Sequence, residues 1–314
     1  MDISKYEELK TLSKTFYNFM LKENLKVNDK KAKRIKDCAS YLDFYCDETE
    51  EFKKLAHGFF CHDRFCPICS NLKMRRDSLE LLSCINVLKK DFNYQFLMIT
   101  LTVKNVSSDV LKDEIKKIKK SFKKFRELQA FQKMSKGYVC KLEVTYNKEV
   151  DSYHPHLHLI CAVNNSYFNS RDYLSRDKIL QMWRNSYKDQ SITQVDIRKI
   201  NTATIKDILE ITSYAAKNAD LFYSYDVFKV FYNSLRSVQI LSYNSCFRDI
   251  RKKIRDKDIN LIDYFDEKDF VIATKLLMYN YHDEKYKLDH VIDLKKTSSY
   301  LKKSYHYILK TVTD

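Results

Sequence analysis

Tyr153-His154-Pro155-His156-Leu157-His158-Leu159-Ile160-Cys161-Ala162-Val163 reads as a β-strand entered through a proline. Alternate side chains of an extended chain share a face, so His154, His156 and His158 project one way while Leu157, Leu159, Cys161 and Val163 project the other. One face is a core face and the other is a row of imidazoles. Neutral imidazole is a common ligand of divalent metals, and two rings at i and i+2 on a rigid strand can grip one ion from the same side. A solvated His-rich strand is the plain alternative. Three of the chain's eight histidines fall within five residues on an apolar-backed strand, and this favours a metal site.

Around this strand the sequence alternates between strand and helix. Tyr94 to Val103 (YQFLMITLTV) is a continuous apolar and β-branched run, the pattern of a central strand. Asp109 to Met134 has helical periodicity, with Val110, Leu111, Ile115, Ile118, Phe122, Phe125 and Leu128 on one side and lysines on the other. Gly137 to Tyr146 (GYVCKLEVTY) is a second strand, joined to the histidine strand by a short polar loop. Arg171 to Tyr187 reads as a helix, Thr193 to Ile200 as a fourth strand and Thr204 to Ala219 as a third helix. The order β-α-β-β-α-β-α predicts an α+β fold of the ferredoxin-like, split βαβ type: an antiparallel sheet with helices on one face and the other face left for a substrate.

The hairpin and the third helix supply the chemistry. With the loop centred near residues 149 to 151, antiparallel pairing sets Glu143 roughly opposite His156 or His158. Two imidazoles and one carboxylate form an open set that suits Mg²⁺ or Mn²⁺ and leaves positions for water or phosphate oxygens. At 100° per residue, Glu210, Tyr214 and Lys217 fall within a wedge of about 60° on the helix, opposite its apolar side. A tyrosine hydroxyl can attack a phosphodiester once its proton is removed and the phosphate charge is neutralised, a task for Lys217 and a metal. The same spacings also arise as plain helix salt bridges.

A net charge of +15, from 57 Lys and Arg against 42 Asp and Glu, favours a polyanionic partner, and 23 Tyr with 19 Phe offer surfaces for base stacking. Nucleic acid is favoured over membrane, because no run of about 20 apolar residues exists. The start of the chain lacks the apolar core of a signal peptide, so a cytoplasmic location is expected. Nine cysteines read as thiols or metal ligands of a reducing compartment. Cys66-x-x-Cys69 has the spacing of a zinc knuckle and Cys61 offers a third thiolate. Cys38 and Cys46 are both available as the fourth ligand, with His62 and His57 as weaker choices. Residues 1 to 60 are charged and expected to be mostly helical. The tail from Leu221 is helical in texture, its aromatics and the basic run Arg248 to Lys257 suiting either packing helices or a surface for nucleic acid.

Phe96 to Asn105 (FLMITLTVKN), His154 to His158 (HPHLH) and Tyr214 to Lys217 (YAAK) resemble the three ordered motifs of the HUH endonuclease superfamily. With RFCPIC upstream, they resemble the single-tyrosine plasmid rolling-circle replication initiators of Gram-positive bacteria, over roughly residues 34 to 220. The resemblance implies that His156 and His158 bind the catalytic divalent ion, that Tyr214 nicks one strand at the double-strand origin and stays on the 5′-phosphate, and that the freed 3′-OH primes synthesis. It implies Cys38, rather than Cys46, as the partner of Cys61, Cys66 and Cys69 at a structural Zn²⁺. Two-tyrosine members carry Tyr-x-x-x-Tyr. This chain has Glu210 in place of the other tyrosine, and such a glutamate is implied to activate water for the terminating cleavage. The expected organisation is a helical, zinc-binding region over 1–90, a nicking and joining domain over 91–220, and a helical extension over 221–314. Origin DNA, a host helicase and a polymerase are the expected partners, and a homodimer is left open. A single-tyrosine transposase or relaxase is the sister reading, and a non-catalytic, zinc-containing DNA-binding regulator is the reading of another class.

Overall fold

The computed structural model describes residues 3–22, 27–200, 205–213, 216–295 and 307–309. In chain order these form α1 (Ser4–Leu21), α2 (Asp29–Lys36), β1 (Tyr41–Cys46), β2 (Lys53–Gly58), α3 (Pro67–Phe92), β3 (Gln95–Thr102), α4 (Leu111–Glu127) and α5 (Gln129–Met134). There follow β4 (Gly137–Asn147), β5 (Ser152–Val163), α6 (Arg176–Tyr187), β6 (Val195–Ile200), α7 (Ile205–Thr212), α8 (Asn218–Leu221), α9 (Tyr225–Leu235), β7 (Leu241–Ser245) and α10 (Cys246–Arg255). The chain ends in β8 (Phe270–Ile272), β9 (Lys275–His282), β10 (Lys285–Asp293) and β11 (Tyr307–Leu309). It divides into two compact units, Asp77–Tyr264 and Met1–Arg76 with Phe265–Asp314. Residues 77–90 and 221–264 thus join 91–220 in one unit.

That unit is built on a five-stranded sheet in the order β6-β3-β5-β4-β7, with every neighbouring pair antiparallel. Its first four strands with α4 and α6 are the ferredoxin-like arrangement read from the sequence. β7 is an addition: Leu-Ser-Tyr-Asn-Ser is too short and polar to announce a strand, and it pairs with Gly137 to Lys141 along the free edge of β4. On one face, Phe122 of α4 meets Tyr138 edge-on, with ring centroids 5.5 Å apart, and Phe125 meets Trp183 of α6 at 5.9 Å. The indole of Trp183 donates to the Thr102 carbonyl at 2.8 Å, so the one polar atom of that buried ring is satisfied. The expected single helix from Asp109 to Met134 is two, because Leu128 is extended between α4 and α5.

The opposite face departs from the expectation of an open surface. Register places Phe96, Met98, Val139, Ile160, Ala162 and Ile200 together on it. Leu81, Cys84, Ile85 and Leu88 of α3, Ile208 and Ile211 of α7, and Phe247 and Ile250 of α10 cover that apolar half. Exposing such a patch would forfeit the hydrophobic gain of burying it, so helices lie on both faces and only the polar half of this one is left. The helix expected over Thr204 to Ala219 ends at Thr212, with a separate short turn of helix at Asn218–Leu221. Several aromatics of the tail belong to the core: Phe228, Phe231 and Phe247 are fully buried, and Phe231 packs edge-on against Tyr153.

The second unit holds a four-stranded antiparallel sheet, β10-β9-β1-β2, and the pair β11-β8. Helix was expected in both of its segments, and strands share them. Tyr-Leu-Asp-Phe-Tyr-Cys of β1 is half aromatic, a composition that favours strand. Asp283 and Glu284 both take positive φ to close the two-residue turn between β9 and β10, the geometry that Asn-Gly usually marks. Tyr6 of α1, Phe44 of β1 and Tyr279 of β9 pack edge to face across this sheet, with ring centroids 5.4 and 6.0 Å apart. Among the described residues no helix is long and apolar enough to cross a membrane.

Gly137 starts β4 where β7 turns into α10. A Cβ there would lie 2.6 Å from Cys246 Sγ, 2.8 Å from the Asn244 carbonyl oxygen and 2.9 Å from the Cys246 nitrogen, and the last two cannot rotate away. Gly137→Ala is therefore expected to destabilise the protein by about 1–3 kcal/mol, the usual cost of overpacking, measured by denaturant unfolding. An unchanged midpoint would mean that β4 and β7 do not approach this closely.

Candidate functional site

The polar half of the sheet face is assembled by strand register. Glu143 pairs with His156 across β4 and β5, Lys141 pairs with His158, and Thr100 of β3 pairs with His158 from the other side. Alternation then sends Glu143, Lys141, His156, His158 and Thr100 to one face. Glu143, His156 and His158 are each 8% exposed, and their ligand atoms all lie within 4.8 Å of one another. His156 Nε2 is 4.0 Å from one Glu143 oxygen and His158 Nε2 is 3.5 Å from the other. His154, half-buried with its ring 5.2 Å from that of His156, is outside the group.

Protonation suits ligation. Burial, reinforced by His158 next to it, pushes the His156 pKa down to about 4, so this imidazole is neutral at ordinary pH. Its Nδ1 lies 3.1 Å from the His154 carbonyl oxygen, a contact that places the proton on Nδ1 and leaves the lone pair of Nε2, on the Glu143 side, free for a metal ion. Burial works to raise the Glu143 pKa, but the Lys141 ammonium and the two imidazoles outweigh it, and the net shift is downward. The group is therefore an ionised carboxylate with two imidazoles, an N₂O set with room for further oxygen ligands, and it fits a hard or borderline divalent ion.

Helix α7 brings a second carboxylate. Glu210 Oε1 lies 3.2 Å from His158 Nδ1, and Arg198 of β6 donates to Oε2 at 2.8 Å. The hydrogen bond with His158 lowers the Glu210 pKa against partial burial, and the charges of His158 and Arg198 add to it, so this carboxylate is held ionised. Lys217, expected on the same helical face, follows α7 instead and is exposed at the start of α8. Tyr214 lies outside the described residues.

A separate cluster occupies the N-terminal unit. Cys38 follows α2, Cys61 follows β2, and Cys66 and Cys69 flank the first residues of α3, where Pro67 takes the first helical position. Their sulfurs lie within 4.8 Å of one another, with Cys38 3.7 Å from both Cys66 and Cys69, and Cys61 3.6 Å from Cys69. Four thiolates around a zinc ion at about 2.3 Å define a tetrahedron with edges of about 3.8 Å, so the spacing fits a closed Cys₄ site. The buried Lys10 of α1 donates to the Cys38 carbonyl and sets a positive charge beside this thiol cluster. Cys46 and His62 are not in the cluster, and burial pushes the Cys46 thiol up to about 11.

The family description "Replication protein" matches residues 52–287. The chain belongs to the replication protein family. Relatives of this replication protein include a "Protein rep" of Staphylococcus aureus, 37% identical over 220 residues that cover 70% of this chain and 95% of that one. A "Protein rep" of Lentilactobacillus hilgardii is 29% identical over 289 residues, covering 86% and 91% of the two chains. Another, of Streptococcus pneumoniae serotype 2, is 30% identical over 229 residues, 71% of each chain. No solved structure matches.

Three residues of the site escape a reading of the replication protein's sequence: Lys141, Arg198 and Ser213. Lys141 carries a signal, since a lysine at i−2 from Glu143 in the otherwise apolar GYVCKLEV must share its face. Arg198 and Ser213 carry none, because they meet the site only through tertiary packing.

Removing one sulfur of four from the cysteine cluster leaves three thiolates crowded without a shared cation. Cys66→Ser is expected to lose tightly held metal, from about one ion per chain towards none, and to unfold its unit at lower denaturant, read by elemental analysis and unfolding curves. Metal-free wild-type protein with an unchanged melting curve would remove the site.

Proposed function

We propose that this replication protein initiates plasmid rolling-circle replication by nicking one strand at a double-strand origin, as an endonuclease of the HUH type. The observation that carries the reading is the N₂O group of Glu143, His156 and His158, with Glu210 against His158, on the sheet of a family member. The Tyr214 oxygen attacks the scissile phosphorus, the bond to the 3′-oxygen breaks, and that oxygen takes up a proton to become the 3′-OH that primes synthesis. The 5′-phosphate stays on Tyr214 as a phosphodiester, so no bond energy is lost to water and rejoining is open to a second 3′-OH.

A divalent ion, Mg²⁺ or Mn²⁺, held by Glu143, His156 and His158 would polarise the scissile phosphate. Lys217, exposed and just past Tyr214 in sequence, supplies a further positive charge for that phosphate. Glu210, already ionised, is in the form that takes a proton from water, and we assign it to the terminating cleavage, when Tyr214 is occupied. Zinc is the ion proposed for Cys38, Cys61, Cys66 and Cys69. The net charge of +15 and the exposed lysines along α4, including Lys112, Lys116, Lys120, Lys123 and Lys124, support DNA as the partner. Host helicase and polymerase complete the proposed assembly. A non-catalytic regulator would not need an ionised carboxylate beside a buried imidazole pair.

Incubation with supercoiled DNA carrying the origin and Mn²⁺ should give a nick with protein on the 5′-end. Tyr214→Phe should abolish both nick and adduct, and His156→Ala with His158→Ala should abolish nicking while salt-dependent DNA binding persists, read by gel and filter binding. Full nicking by the double histidine variant would overturn the site. Glu210→Ala should leave the first cut and slow termination by about 10²–10⁴-fold, so that strands longer than one plasmid unit accumulate. Equal loss of both cuts would make Glu210 a ligand or the base for Tyr214.

A further inference from the structure

Lys141 is a fully buried lysine in the middle of β4. A buried ammonium is stable only if its three protons all find acceptors, and here they do. One goes to the Glu143 carboxylate, one to the Glu210 backbone carbonyl at 2.7 Å and one to the Ser213 hydroxyl at 2.6 Å. The three acceptors belong to different parts of the site. Glu143 is on the same strand face as Lys141. The Glu210 carbonyl is one of the last four of α7, which have no acceptor role inside the helix, and Ser213 is the residue after that helix.

We infer that Lys141 is a positioning residue that locks the carboxylate of the metal group to the end of the helix that leads into the nucleophile. The inference rests on the nicking function proposed above. Towards the sheet, the ammonium holds one Glu143 oxygen and so fixes the rotation of the carboxylate that faces His156 and His158. Towards the helix, it caps the negative end of the α7 dipole and ties down Ser213, the immediate neighbour of Tyr214. A single cation thus joins the Glu143 carboxylate to Ser213, the residue before Tyr214 in sequence, and transfer rates are sensitive to the placement of reacting groups at the 1 Å level. A water molecule, with two protons to donate, could not bond all three acceptors at once, whereas an ammonium does.

The test uses the full chain and Mn²⁺ alone as the first probe. Lys141→Met keeps the length of the side chain and removes its charge and donors. Its Mn²⁺ dissociation constant, measured by calorimetry, should rise about 10–100-fold, the usual effect of losing the partner of a metal ligand. Single-turnover cleavage of a single-stranded origin oligonucleotide should stay below wild type even at saturating Mn²⁺. Ser213→Ala removes the hydroxyl contact at the end of α7 and keeps those to Glu143 and the Glu210 carbonyl: its Mn²⁺ affinity should equal that of wild type, while single-turnover kcat falls severalfold at unchanged KM. Wild-type Mn²⁺ affinity in Lys141→Met would overturn the proposal. Should that variant not fold, Ser213→Ala decides, and an unchanged kcat there overturns it equally. If wild-type protein binds Mn²⁺ and cuts no DNA, the nicking function fails, while the Mn²⁺ titration still judges the hold of Lys141 on Glu143.

Discussion

Side chains alternate along a strand, so the pairing of Glu143 with His156 leaves no slack. A slip of one residue between β4 and β5 would turn both imidazoles into the apolar layer against α4 and α6, and bring Leu157 and Leu159 out among the polar groups. The register is held from several sides at once. Eleven residue pairs run from Gly137 to Asn147, β3 pairs with β5 over eight more, and Trp183 anchors α6 to the Thr102 carbonyl. Each of these contacts is ordinary, and their agreement makes the placement of three ligand groups within 4.8 Å cheap for the fold.

One sheet face does two jobs. Its apolar half is the floor of the core under α3, α7 and α10, and its polar half carries the candidate site. The boundary runs across single strands: along β5 it falls between His158 and Ile160, along β4 between Val139 and Lys141, and along β3 between Met98 and Thr100. Helix α7 lies at this boundary, burying Ile208 and Ile211 while Glu210 reaches His158. Covering one half is therefore what carries a helix to the other. The burial that stabilises the core also dries the site, which lowers the His156 pKa and strengthens the pairing of Lys141 with Glu143.

Much of this was legible from residues. Alternation in YHPHLHLICAV, a loop near 150 and the runs either side suffice for the four-stranded order and for Glu143 facing the histidines. The illegible parts share a cause. The chain has two glycines, and its turns are made by residues that do not announce them: Glu50, His62, Lys188, Lys257, Asp283 and Glu284 all take positive φ. Without that punctuation, the hairpin of β9 and β10 blends into a charged, helical-looking tail. The end of α7 at Thr212 was hidden differently, since apolar periodicity continues through Ala215 and Ala216. Coverage of the second sheet face needs α3 and α10, separated by more than 150 residues, and no local pattern couples them.

The formal charges of the site have a consequence for the ion it would take. Burial pulls the Lys141 pKa down against the pull of Glu143, and by formal charge Lys141 and Arg198 balance the ionised Glu143 and Glu210, while His156 is neutral. A site already rich in uncompensated carboxylates would bind a divalent ion tightly but leave little positive potential for a phosphodiester. Here the two cations have satisfied the carboxylates beforehand, so a divalent ion would add its charge almost undiminished to the site. The ligand set would then hold the ion less tightly than an all-carboxylate cage and present it to an anionic substrate more strongly. For the nicking and joining activity proposed above, that exchange of affinity for polarising power favours an N₂O group over a closed one.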